Sequence, residues 1–132
     1  MKRAGWLALA LAAAFSAGWL MGGAGRSAAE VAAGRADERA AFLEARLLVL
    51  DGQIRLLESN FGDAGAQFDA ARAVIERLQT RLRETGQPER AGLLEVALAF
   101  LREAASQASA LEPGAWSAAE AARHTLESVG GQ

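Results

Sequence analysis

The stretch LLESNFGDAGAQFDAA, residues 56–71, decides the fold of this chain. It lies inside a long run whose apolar residues repeat at helical spacing, yet Asn60, two glycines and Asp63 fall within six positions. Gly62 can adopt the left-handed conformation that ends one helix, and Asp63 can cap a second helix that begins at Ala64. Because two helices joined by so short a turn pack antiparallel, the stretch predicts the corner of a helical hairpin.

The helix before this corner carries two apolar rows. The first row has heptad spacing and consists of Leu43, Leu47, Leu50, Ile54, Leu57 and Phe61. The second row lies about 150° around the helix and consists of Phe42, Ala45, Val49, Gly52 and Leu56. Such a helix needs neighbours on both sides. The second helix can cover one row, and we expect the third or fourth helix of the same chain to cover the other and close a compact bundle. A second chain is the alternative.

The residues after the corner predict three further helices. The second helix, residues 64–85, carries a heptad row of Ala64, Phe68, Ala71, Ile75, Leu78 and Leu82. We expect Phe68 to be buried against Gly52 or Leu56. Gly86 can end this helix, and Pro88 suits the first turn of the third. Ser117 and Glu120 have the spacing of a capping box that would begin the fourth helix, with Trp116 as its hydrophobic staple.

The segment GQIRLLESNFGDAGAQFDAA, residues 52–71, also carries a family resemblance. Residues 45–78 resemble one degenerate tetratricopeptide (TPR) repeat, although Arg55, Ser59 and Glu76 depart from the family pattern. The resemblance implies a hairpin whose structural residues are Gly52, Phe61, Gly62, Asp63, Ala64, Phe68 and Ala71. In this family the first helix of a repeat lines a groove that binds protein, and the residues at matching positions are Arg46, Val49, Gln53 and Leu56.

The amino-terminal residues predict a membrane anchor. The chain is uncharged from Ala4 to Gly25, and a helix needs about 20 apolar residues to span a bilayer. We therefore expect a transmembrane signal anchor at residues 1–25, an Ala-rich helical stalk at 26–41 and a TPR-like bundle at 42–132. Small residues before Gly25 and Glu30 leave a cleaved signal peptide as the alternative.

The predicted fold class is all-α, with an N-terminal transmembrane helix followed by antiparallel helical hairpins of about four helices. Lys2 and Arg3 precede the apolar run and favour a cytoplasmic amino terminus. The predicted location is therefore a bacterial-type inner membrane, crossed once, with the carboxy-terminal domain outside the cytoplasm.

Composition and motifs argue against catalysis and against nucleic-acid binding. The net charge is −2 and cysteine is absent; arginines alternate with acidic residues, as on a solvated helix surface rather than a basic stripe. His124 is the only histidine, and no phosphate-binding loop or nucleophile motif is present. We expect no enzyme activity, no cofactor and no metal site. Glu44, Asp51 and Glu58 recur every seven residues and indicate a solvated acidic stripe.

These observations predict a membrane-tethered helical adaptor or scaffold that binds protein partners. The first alternative is a self-associating coiled-coil tether, which would make the chain a homo-oligomer. The second is an accessory subunit of an envelope complex. The expected partners are other proteins and, through the N-terminal helix, the lipid bilayer.

Overall fold

The computed structural model describes the backbone of residues 2–131 and the side chains of residues 28–131. Four helices account for the described chain: α1 (Lys2–Leu57), α2 (Phe61–Glu84), α3 (Pro88–Ser109) and α4 (Gly114–Gly130). The predicted all-α class is confirmed. The chain divides into two compact units, residues 1–37 and 38–132, and the second unit contains the three corners.

The prediction of a separate transmembrane helix is wrong. Among the residues whose side chains are described, none of the helices combines the length and the apolarity that crossing a membrane requires. The anchor predicted at residues 1–25 lies outside the residues whose side chains are described. The anchor, the stalk and the first bundle helix, predicted as separate elements, belong to the single helix α1. Alanine is the best helix former, and no proline interrupts residues 2–57.

The first corner is where the sequence predicts it, but other residues form it. Ser59 takes the left-handed conformation, with φ 58°, and the Asn60 side chain caps α2 by accepting a bond from the Asp63 amide at 3.4 Å. The prediction that Gly62 ends one helix and that Asp63 caps another beginning at Ala64 is therefore wrong. Both residues lie inside the first turn of α2, where the positive end of the helix dipole stabilises an acidic side chain.

The second corner agrees with the sequence and the third does not. Gly86 has φ 76° just after α2, and Pro88 is the first residue of α3. At the third corner Leu111 has φ 59°, and α4 begins at Gly114 with no side-chain cap. Ser117 and Trp116 therefore lie within α4, so the predicted capping box and staple are wrong.

The core follows the predicted row of α2, whose members are all buried: Ala64, Phe68, Ala71, Ile75, Leu78 and Leu82. The helix α2 packs against α3, which packs against α4 in turn, and Phe68 of this row meets Gly52 of α1. The buried amide of Gln79 donates to the Ala91 carbonyl at 3.0 Å, which satisfies a polar group between α2 and α3.

Contacts at both ends of the helices give an up-down-up-down bundle. Arg90, near the start of α3, donates to the carbonyl of Val129, near the end of α4. Gln53 of α1 bonds to Glu120 in the first half of α4, whereas Arg46 bonds to Glu127 near its end. Consequently α4 runs antiparallel to both α3 and α1.

Candidate protein-interaction face

The first apolar row is exposed on α1 from Leu43 to Leu57. Its predicted sixth member, Phe61, is instead the first residue of α2 and is half-buried. We call the five residues Leu43, Leu47, Leu50, Ile54 and Leu57 the leucine face. Their exposed fractions run from 41% for Leu50 to 73% for Leu57. The expectation that α3 or α4 would cover this row is wrong. Both α2 and α4 pack on the second row instead, so the leucine face has no neighbour in the described chain.

The second row holds α1 in place from the opposite side. Phe42, Ala45 and Val49 are buried. Gly52 is also buried, and a Cβ there would lie 2.4 Å from the ring of Phe68. The predicted burial of Phe68 against Gly52 is therefore confirmed. Because one side of α1 is fixed in this way, the leucine face is presented on a packed helix rather than on a free one.

A chain of polar contacts joins α1 to α4 beside the leucine face. The Glu127 carboxylate accepts from Arg46 at 2.9 Å and from Arg123 at 2.5 Å. The Glu120 carboxylate accepts from Gln53 at 3.1 Å and also pairs with Arg123. These bonds to Arg123, and then to Gln53, lower the pKa of Glu120 from 4.5 to about 2. The same pairing raises the pKa of Arg123.

Arg90 of α3 contacts both α1 and α4. It forms an ion pair with Glu38 of α1 at 2.6 Å and lies 5.8 Å from the centroid of the Phe42 ring. It also bonds to the Val129 carbonyl at 3.3 Å. One guanidinium group therefore links α1, α3 and α4, and an arginine can do so because it offers five donors in a planar fork.

Two shallow grooves flank the leucine face, one near each end. The groove of about 270 Å³ near Leu57 is lined by Leu56, Phe61, Trp116 and their neighbours. The groove of about 330 Å³ near Leu43 is lined by Arg39, Phe42, Glu127 and their neighbours. Trp116 is 41% exposed, so the apolar surface extends from α1 onto the start of α4.

The four residues assigned to a TPR-like groove lie between α1 and its neighbours. Val49 is fully buried and Gln53 is 3% exposed. Arg46 is engaged by Glu127, and Leu56 packs half-buried against the core. In the bundle these residues therefore do not form an open groove, and their role in partner binding stays a prediction.

His124 lies at the surface of α4 beside two carboxylates. Its ring nitrogens are 3.2 Å from Glu120 and 3.7 Å from Glu127. Both carboxylates are already engaged by Arg123. Within residues 28–131, no group of three or more histidine, aspartate or glutamate side chains has the geometry to hold a metal ion.

The comparisons with known proteins identify no relative of this chain. No protein-family model, no curated protein and no solved structure matches this chain. The resemblance of residues 45–78 to a TPR repeat therefore stays a prediction.

Proposed function

We propose that this chain is a helical protein-interaction module that acts by binding rather than by catalysis, and that its binding surface is the leucine face. The observation that supports the proposal is the exposure of five large aliphatic side chains on one side of a helix whose other side is packed. Contiguous apolar patches of this kind typically mark contact surfaces. Fully burying such a side chain is worth about 1.5–3 kcal/mol.

The way the polar groups are used also supports binding over catalysis. The Glu120 and Glu127 carboxylates of α4 accept bonds from side chains of α1. Arg123 pairs with both carboxylates within α4. Arg90 is consumed in joining α1 to α3 and α4. These contacts hold α1 against the bundle and orient the leucine face.

Photo-crosslinking in the cells that produce the chain tests this proposal. A photoreactive phenylalanine analogue replaces Leu47 in the full chain. The matched control carries it in place of Arg102, which is also exposed but lies on α3. We expect covalent adducts with protein from the first position and not from the second. If neither position gives an adduct, or if both give the same adducts, the leucine face is not the binding surface.

A stability measurement separates loss of binding from loss of folding. Leu47 is 66% exposed, so Leu47→Ser should change the free energy of unfolding of the isolated chain by no more than about 0.5 kcal/mol. The same substitution should abolish adduct formation at the neighbouring position Leu50. A large loss of stability would show instead that Leu47 belongs to the core.

A further inference from the structure

The leucine face has the spacing of a coiled-coil seam. With Leu47 and Ile54 at the a positions of a heptad, Leu43, Leu50 and Leu57 occupy the d positions. We infer that the occupant of the leucine face is a second copy of this chain, in a parallel, in-register, two-stranded coiled coil. This inference rests on the proposed function and names its partner. Leucine at d with a β-branched residue at a favours two strands. The seam has leucine at all three d positions and the β-branched Ile54 at one of its two a positions.

Charges beside the seam support the parallel orientation. Arg39, Arg46 and Gln53 precede the a positions, whereas Glu44, Asp51 and Glu58 follow the d positions. In a parallel pair, each residue of the first set meets the residue five positions later in the other copy. Arg39 then meets Glu44. The other two members of the first set, Arg46 and Gln53, are already bonded to carboxylates of α4, so the Arg39–Glu44 pair is the one that supports this orientation. An antiparallel pair would place the acidic set of one copy against the acidic set of the other, which is unfavourable.

The contacts within the bundle leave Arg39 and Glu44 available to pair with a second copy. Within the described part of the chain, Arg39 and Glu44 are exposed and have no ionic partner. Asp51 and Glu58 share Arg55, at 3.7 Å and 3.1 Å, near the surface. The Arg39–Glu44 pair can therefore form across a dimer without breaking an existing contact.

The bundle also limits the number of strands. Arg46 and Gln53 lie on the flank of the seam that contacts α4. A third strand in a trimer would need space on both flanks of each seam. Because α4 already packs along one flank, the leucine face favours one additional helix over two.

Single-cysteine variants test the orientation without removing any native cysteine, because the chain has none. Leu43→Cys and Leu57→Cys each place one thiol at a d position, and the two positions are about 21 Å apart along the helix. In a parallel, in-register dimer both variants should oxidise quantitatively to disulfide-linked dimers of the full chain. An antiparallel dimer cannot bring both positions opposite themselves. Arg102→Cys, on α3, is the control and should stay unlinked.

A charge reversal tests the flanking pair. Glu44→Arg should weaken dimerisation of the full chain about tenfold in sedimentation equilibrium, since two symmetrical ion pairs become repulsive. The double variant Arg39→Glu with Glu44→Arg should restore the parental dissociation constant. A double variant as weak as the single one would overturn the parallel register.

The experiments also distinguish this inference from the proposed function. Photo-crosslinks from Leu47 to a different protein, together with a monomeric full chain, would refute the second copy and retain the binding surface. Absence of every crosslink from Leu47 would refute both.

Discussion

Substituting Gly52 tests how tightly α1 packs on α2, and the expected sign of the effect depends on Phe68. Helix propensity alone predicts that Gly52→Ala stabilises α1 by about 1 kcal/mol. The packing opposes this gain. A Cβ at Gly52 would lie 2.4 Å from Cε1 of Phe68 and 2.8 Å from Cδ1, and the ring is fully buried.

The size of the conflict follows from these distances. Non-bonded carbon atoms rest about 3.5–4.0 Å apart, so the ring of Phe68 must retreat by roughly 1 Å into a packed core. Overpacking of this kind costs about 1–3 kcal/mol, which offsets or exceeds the gain in propensity. We expect Gly52→Ala to lower the free energy of unfolding by up to about 2 kcal/mol.

Truncating the ring should reverse the sign. Phe68→Ala alone should cost about 3–5 kcal/mol, as for aromatic truncations in other cores. In that background a methyl group at position 52 meets no ring, so Gly52→Ala should now stabilise by about 1 kcal/mol. Urea denaturation of the four proteins yields the coupling free energy between the two sites, expected at about 1–3 kcal/mol.

Gly92 provides the matched control for this cycle. It lies within α3 and is exposed, and a Cβ there would meet nothing within 4 Å. Gly92→Ala should therefore stabilise by about 1 kcal/mol with or without the Phe68 ring. If Gly52→Ala stabilises the parent protein as much as Gly92→Ala does, the packing of Phe68 on Gly52 is refuted.

Two further predictions concern the acid limb of stability and the corners. The pKa of Glu120 is lowered to about 2, so the stability that its carboxylate contributes is present above pH 4.5 and is lost as the pH falls toward 2. Glu120→Gln should therefore make the urea midpoint depend less on pH between about pH 5 and 2, and an unchanged pH dependence would contradict this. Ser59 and Leu111 have φ near 60°, a conformation that costs residues other than glycine about 1–2 kcal/mol. Ser59→Gly and Leu111→Gly should therefore each raise the free energy of unfolding, measured by urea denaturation, by up to about 1 kcal/mol. A lower free energy of unfolding in both variants would refute the left-handed conformations.

The helices that face only one way were predictable from the sequence. The row of α2 is apolar on one side, and all six residues that its period picked out are buried. Gly65, Val74 and Gln79 are also buried and lay outside that row. The position of the first corner was also predictable, because several turn-forming residues cluster there. Which residue takes the left-handed conformation was not predictable. The sequence favoured Gly62, because glycine adopts that conformation most easily, but Ser59 adopts it and Gly62 lies within α2.

The two-sided helix was where sequence reasoning failed. Both rows of α1 are apolar and regular, so periodicity alone could not show which row the bundle covers. The deciding feature is polar. Arg46 and Gln53 lie between the rows, and their bonds to α4 draw that helix onto the second row. A signal for this existed in the sequence: Glu120, Arg123 and Glu127 lie within one helical face of α4 and match those two side chains.

The residues of the two rows also differ in kind, and the difference matches their surroundings. The row inside the bundle includes Ala45 and Gly52, small residues that admit a close neighbour of fixed shape. The leucine face contains only leucine and isoleucine, all exposed. Charged residues at these exposed positions would remove an apolar patch that favours association. A helix that keeps large aliphatic side chains at every a and d position, with opposite charges on its two flanks, is therefore better suited to a second helix than to water.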